Sequence, residues 1–125
     1  IWSDKYLKEL LLMKKLFFEN TKTYCSILLV NKQKSFDKNF KGDFNLKNNV
    51  VSRHVDDKLD YVYTGLQIIN PKAFLDFNSE VFSINDVWNK LIKNNQLIGF
   101  ESNANFLHVS TLKIYKSLLE NYFKH

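Results

Sequence analysis

Few residues in this chain combine a type and a spacing that could do covalent chemistry. Cys25 is the one cysteine and lies in the apolar run TYCSILLV, residues 23–30. With no partner for a disulfide, it reads as a small hydrophobe buried in a strand, and its solitary state points to a reducing compartment. Asp56, Asp57 and Asp60 gather ahead of YVYTGLQII, but no glycine or calcium-loop spacing accompanies them, so they read as a solvated loop. His108 closes NFLHV. It reads as a strand-end histidine held by local hydrogen bonds and not as a metal ligand. The more informative feature is Thr64-Gly65 in the middle of YVYTGLQIINPKAF, residues 61–74. Glycine weakens a strand interior unless another backbone or a ligand must come close.

The elements that position these residues follow from periodicity. Over 61–69 a two-sided apolar pattern predicts a central strand. Tyr61, Tyr63, Gly65, Gln67 and Ile69 share one face, and Val62, Thr64, Leu66 and Ile68 the other. Asn70-Pro71 ends it, with Pro71 opening a short helix through Phe74. Near the N-terminus, Tyr6, Leu7, Leu10, Leu11, Met13, Leu16 and Phe17 recur at helical spacing, with Ser3 as N-cap and Asp4 in the first turn. TYCSILLV is a buried strand and NKQKSFDKNFK a polar loop. GDFNLKNNVVSRHV predicts two short strands, Gly42 to Leu46 and Val50 to His54, in a hairpin turning at Lys47-Asn48-Asn49. Ser83 with Asp86 resembles a capping box opening a helix with Val87, Trp88, Leu91 and Ile92 on one face, ending at Asn94-Asn95. QLIGFE and NFLHV predict two strands. Thr111 then caps a last helix with Tyr115, Leu118, Leu119 and Tyr122 on its apolar face. Strands interleaved with helices predict a single α/β domain: a mixed sheet with flanking helices.

Composition bounds the function. Of 125 residues, 45% are hydrophobic, ample for a packed core. The net charge of +5 comes from lysines scattered among acids, with no nucleic-acid-binding motif, so no nucleic-acid partner is expected. No apolar stretch reaches the ~18 residues of a membrane span, and IWSDKYLKEL lacks the features of a signal peptide. The expectation is a cytoplasmic protein without a membrane partner.

Four blocks add a family. GDFNL (42–46), YTGLQIINPKAF (63–74), FSINDVWNKLI (82–92) and LIGFESNANFLHVST (97–111) resemble, in order and spacing, the second half of the bacterial sugar-phosphate nucleotidyltransferases. The nearest type is that of N-acetylmuramate-1-phosphate uridylyltransferase and mannose-1-phosphate guanylyltransferase. The resemblance implies that residues 1–125 are the C-terminal, sugar-phosphate side of a Rossmann-like nucleotidyltransferase fold, with the N-terminal nucleotide-binding part absent. It implies that Thr64 and Gly65 line the sugar-phosphate pocket, the missing side chain admitting the sugar to the backbone. Gly42 and Asp43 would form the other wall, with Phe44 packing behind them.

The complete enzyme of such a family transfers a nucleoside monophosphate from an NTP to a sugar-1-phosphate, giving nucleotide-sugar and pyrophosphate. That chemistry rests on positioning and on charge neutralisation by Mg²⁺ and basic groups, without a protein nucleophile. The chain departs from the pattern. With 3 glycines it has no glycine-rich triphosphate loop, and the family's first metal-binding Asp falls ahead of Ile1-Trp2. His108-Val109-Ser110-Thr111 stands where Asp-Val-Gly-Thr is usual, Leu112 where Pro is, and Phe106 where Trp is. No metal and no turnover are therefore expected of this chain by itself. The alternative is a non-catalytic interaction module, or a decayed relic, that pairs with a separately encoded N-terminal half.

Overall fold

The computed structural model of the chain describes residues 4–39, 41–54, 56, 58–77, 81–109 and 111–121. Ser3, Asp57, Ser110 and Tyr122, each given a place above, lie outside the described residues.

Strand β1 (Cys25–Asn31) is buried over its first six residues, which requires cover on both faces and both edges. It pairs in parallel with β5 (Leu97–Glu101) and antiparallel with β4 (Tyr61–Ile69). Its side chains alternate between layers. Cys25, Ile27 and Leu29 pack with Val87, Trp88 and Leu91 of helix α2 (Ile84–Lys93). Leu28 faces Tyr6 and Met13 of helix α1 (Asp4–Glu19). The sheet thus carries a helix on each face.

Beyond β5 the sheet continues into the hairpin of β2 (Asn45–Lys47) and β3 (Val50–Ser52), giving the order β2-β3-β5-β1-β4. Asn48 and Asn49 have φ of 52° and 65°, the two left-handed residues that a two-residue hairpin loop requires. Both strands are shorter than the sequence predicts: Phe44 leaves the hairpin to bridge Tyr61 of β4, and β3 ends at Ser52.

Helix α2 is closed at both ends by side-chain and backbone caps. The Ser83 hydroxyl accepts the Asn85 N–H at 3.2 Å. At the other end Gln96 N–H donates to Leu91 at 2.8 Å and Asn95 N–H to Ile92 at 3.2 Å, a Schellman closure with Asn95 left-handed at φ 57°. The Gln96 carbonyl then accepts the amides of Tyr24 and Cys25, so the end of α2 fixes where β5 meets β1. Asn70 caps the short 3₁₀ turn Pro71–Phe74 through its side chain, which accepts the Lys72 N–H at 2.9 Å.

Four expectations are corrected. β4 stands at the sheet edge and not at its centre, because apolar residues on both faces report cover above and below and say nothing of edges. NFLHV is not a strand: Phe106 makes a single bridge to Ser35, since its amide goes to Lys34 and its carbonyl to Phe36. Lys32–Lys34, expected as loop, form a 3₁₀ turn. In α3 (Leu112–Asn121), capped by the Thr111 hydroxyl, Leu118 is buried but Tyr115 and Leu119 are exposed. Among the described residues no helix is long and apolar enough to cross a membrane.

Ser26 in β1 is fully buried, and its hydroxyl has no hydrogen-bond partner among the described residues. An unpaired buried hydroxyl costs about 1–3 kcal/mol. Ser26→Ala is therefore expected to raise stability by ~1 kcal/mol, read as a higher urea midpoint. A lower midpoint would mean that the hydroxyl is bonded after all.

Candidate functional site

Gly42, Asp43, Thr64 and Gly65 come from two segments that the fold lays side by side. The Asp43 amide donates to the Tyr61 carbonyl at 2.7 Å, and Phe44 and Tyr61 exchange backbone bonds at 3.0 and 3.1 Å. The Asp43 carboxylate accepts the Tyr63 N–H at 2.9 Å, next in the chain to Thr64. Gly42 is set by sterics: a Cβ there would overlap the Leu59 carbonyl.

Thr64 and Gly65 form a bulge. Ile27 faces Gln67 and Leu29 faces Tyr63, so two steps of β1 span four of β4. Because the insertion is even, pleat parity survives it. Tyr63 stays with the α2 core while Leu66 and Ile68 stay with the α1 core. The Thr64 hydroxyl donates to the Leu28 carbonyl at 2.9 Å and lies 3.4 Å from the Leu66 N–H that it accepts. Gly65 has φ 95° and is exposed, and a Cβ there would meet nothing within 4 Å. The glycine is thus required by backbone conformation, and the space beside it is open.

Behind this edge lies a polar and aromatic frame that sequence reading did not assign. Arg53, the one arginine of the chain, donates from Nε to Asn89 Oδ1 at 2.8 Å. Its two Nη atoms donate to Asn85 Oδ1 and to the Asn85 carbonyl, each at 2.9 Å. Its guanidinium centre lies 4.8 Å from the Phe44 ring centroid and 5.9 Å from that of Trp88. Burial lowers its pKa, while Asp43 and Asp86 act in the opposite sense. A planar fork with a flat apolar face is a task for arginine and not for the lysines that otherwise dominate the chain. That singularity was the available signal. Phe44 and Tyr63 each meet Trp88 edge-on, at 5.4 and 4.9 Å. Gln67 Oε1 accepts from Trp88 Nε1 at 3.2 Å and from the Cys25 thiol at 3.4 Å.

Burial pushes the Cys25 thiol up to about 12, against a lowering hydrogen bond to Trp88, so no thiolate is available at neutral pH. Among the described residues no group of three or more His, Cys, Asp or Glu could hold a metal ion. Asp43 already serves the Tyr63 amide, Asp60 lies 3.6 Å from Lys32, and exposed His108 stacks on Phe106 at 5.8 Å. A cleft of about 310 Å³ bounded by Lys34, Ser35, Asn105 and Leu107 shares no residue with Gly42, Asp43, Thr64 and Gly65. No protein-family model matches the chain, and no curated protein matches it in sequence.

Two predictions follow from this geometry. Gly65→Ala is expected to cost about 1–2 kcal/mol through backbone conformation only. Gly42→Ala should cost more, since segment 42–44 must leave β4. Denaturant titration orders the two, and the reverse order would refute the bulge. Burial likewise raises the Tyr63 hydroxyl to about 12. Both Cys25 and Tyr63 ionise more readily unfolded, at 9.0 and 10.0. Their contribution to stability is thus whole below pH 9.0 and is lost as pH climbs toward about 12. Urea midpoints across that range should fall less steeply in Tyr63→Phe.

Proposed function

We propose that the chain is the sugar-phosphate side of a bacterial sugar-1-phosphate nucleotidyltransferase. The complete enzyme transfers a nucleoside monophosphate from an NTP to a sugar-1-phosphate in the cytoplasm, with Mg²⁺, and releases pyrophosphate. One observation carries the reading beyond the sequence blocks. Asp43 is tied to β4 through both its amide and its carboxylate, so the two stretches assigned to opposite walls of a sugar pocket are neighbours.

In this reading, Gly65 offers an approach to backbone unobstructed by a side chain, and Asp43 is held on the same strand two residues before it, at the Tyr63 amide, with Gly42 beside it in the chain. Thr64 acts as a positioning residue, since its hydroxyl closes the bulge onto Leu28. The triphosphate loop and the metal carboxylates come from outside these 125 residues, and a separately encoded N-terminal half is one source. Such groups supply the electrostatic stabilisation that dominates this chemistry, and removing one commonly slows catalysis by ~100-fold or more. The chain by itself therefore binds and does not turn over.

Titrating a panel of sugar-1-phosphates, with the matching free sugars as controls, against the isotopically labelled chain tests this. Saturable amide shifts are expected at Gly42, Asp43, Thr64 and Gly65 for at least one phosphate. Asp43→Asn keeps an acceptor for the Tyr63 amide, so the fold stands while that affinity falls by ~10-fold, about 1.4 kcal/mol. Shifts nowhere near these residues would remove the assignment. Pyrophosphate release from UTP or GTP by the chain with Mg²⁺ would overturn its inactivity.

A further inference from the structure

β1 and β5 are interior to the sheet, parallel, and end side by side, with Leu29 opposite Glu101. In open α/β sheets, small ligands settle in the ground beyond the carboxyl ends of parallel strands. The two segments that leave these ends stay together. Ser35 and Phe106 form a parallel bridge, the Phe106 amide donates to the Lys34 carbonyl at 3.0 Å, and the Phe36 amide donates to the Phe106 carbonyl at 2.9 Å. The Tyr6 hydroxyl of α1 donates to the Asn105 carbonyl at 3.0 Å. Both walls of the cleft along these segments are therefore fixed by bonds within the chain, and neither wall is a sheet edge.

The cleft holds about 310 Å³, at the lower end of the ~300–1,000 Å³ usual for small-molecule sites. Phe36 and Leu107 give it an apolar part, and Gln33, Lys34, Lys38 and Asn105 a polar one. Its lining contains two lysines and no acid. The carboxylates of the adjoining segments are turned to other partners: Asp37 accepts the Asn39 amide, Asp60 lies 3.6 Å from Lys32, Glu9 accepts from the Ser102 hydroxyl, and Glu101 accepts from the Tyr61 hydroxyl. Asp4 and Lys5, both exposed in the first turn of α1, are of opposite sign and do not line the cleft. The Lys38 ammonium is held in place by one bond to the Gln33 carbonyl at 2.6 Å, which leaves it two further donors. Among the described residues the Lys34 ammonium forms no ion pair and no hydrogen bond.

We propose that this cleft binds a small phosphate monoester. Its dianionic phosphate takes donors from Lys34 and Lys38 and from the side-chain amides of Gln33 and Asn105, while its short organic part lies on Phe36 and Leu107. Two ammonium groups match the charge. Three strong acceptor oxygens suit donors that converge from two walls. The cleft shares no residue with Gly42, Asp43, Thr64 and Gly65, so the inference does not need the sugar-phosphate reading.

Amide shifts of the isotopically labelled full chain, titrated with glycerol phosphate, test the proposal. Saturable shifts at residues 33–38 and 105–107 are expected, with half-saturation below ~10 mM, and glycerol should produce none. Lys34→Gln removes one cation without removing a bond of the fold and should weaken binding by ~10-fold. Lys72→Gln, at an exposed lysine beyond β4, lowers the net charge equally and should leave the affinity unchanged. Equal weakening by the two variants would reduce the effect to general charge attraction and overturn the site. Absence of shifts, or shifts confined to other residues, would also overturn it. Inorganic phosphate binding as tightly as the ester would refute the organic part of the ligand. The sugar-phosphate reading stands or falls on shifts at Gly42, Asp43, Thr64 and Gly65, so failure of one proposal is read at different residues from failure of the other.

Discussion

A strand whose side chains are buried on both faces cannot leave its own backbone unpaired, because each orphaned amide in a dry interior costs as much as a lost hydrogen bond. β1 imposes that demand on the rest of the molecule. Tyr24, at its entrance, shows how the demand is met: its amide goes to Gln96, at the end of α2, and its carbonyl receives Asn70, at the end of β4. One residue thereby sets where the next two layers of chain must arrive. The hairpin reaches the sheet through β5, where Val50 pairs with Ile98 and the Asn49 carbonyl accepts the Gly99 amide, so it too inherits its place from β1.

The candidate site is held by groups that each serve more than one partner. Gln67 Oε1 links β4 to α2 through Trp88 and to β1 through Cys25. Arg53 joins the hairpin to α2 by three bonds while lying against Phe44 and Trp88. Asp43 fastens the stretch before the hairpin to β4. Side chains so engaged lose their freedom before any ligand arrives, which is the condition for a preorganised binding surface. The same engagement withholds reactivity, since the one thiol is buried and neutral.

The bulge at Thr64-Gly65 shapes both the faces and the outer edge of β4. Its even count keeps apolar residues of β4 on the correct faces while Gly65 opens outward at φ 95°. It also divides the outer edge, with Asp43 and Phe44 covering the residues before it. A single local distortion thus separates the covered stretch of the edge from the rest of the strand.

What the sequence determined is what short-range physics controls. The α1 pattern, the Asn48-Asn49 turn, Asn70-Pro71, the Ser83 cap and the left-handed stop at Asn95 were legible, or nearly so, because each depends on residues a few positions apart. The burial of Cys25 and the mixed α/β class followed from the same patterns. Only the tertiary structure decided the edge position of β4, because strand order depends on which segments meet across the chain and leaves no mark on a strand's own alternation. NFLHV looked like a strand for the same reason, yet the Phe106 amide donates to the Lys34 carbonyl and its carbonyl accepts the Phe36 amide, with no ladder beyond them. Gly42, Asp43, Thr64 and Gly65 were singled out by a resemblance, but the bond that ties Asp43 to the Tyr63 amide could not be read. Nor could the bulge as the cause of Gly65, or the stacking of Arg53 on Phe44 and Trp88. Each of these joins residues that the chain separates and that packing alone brings together.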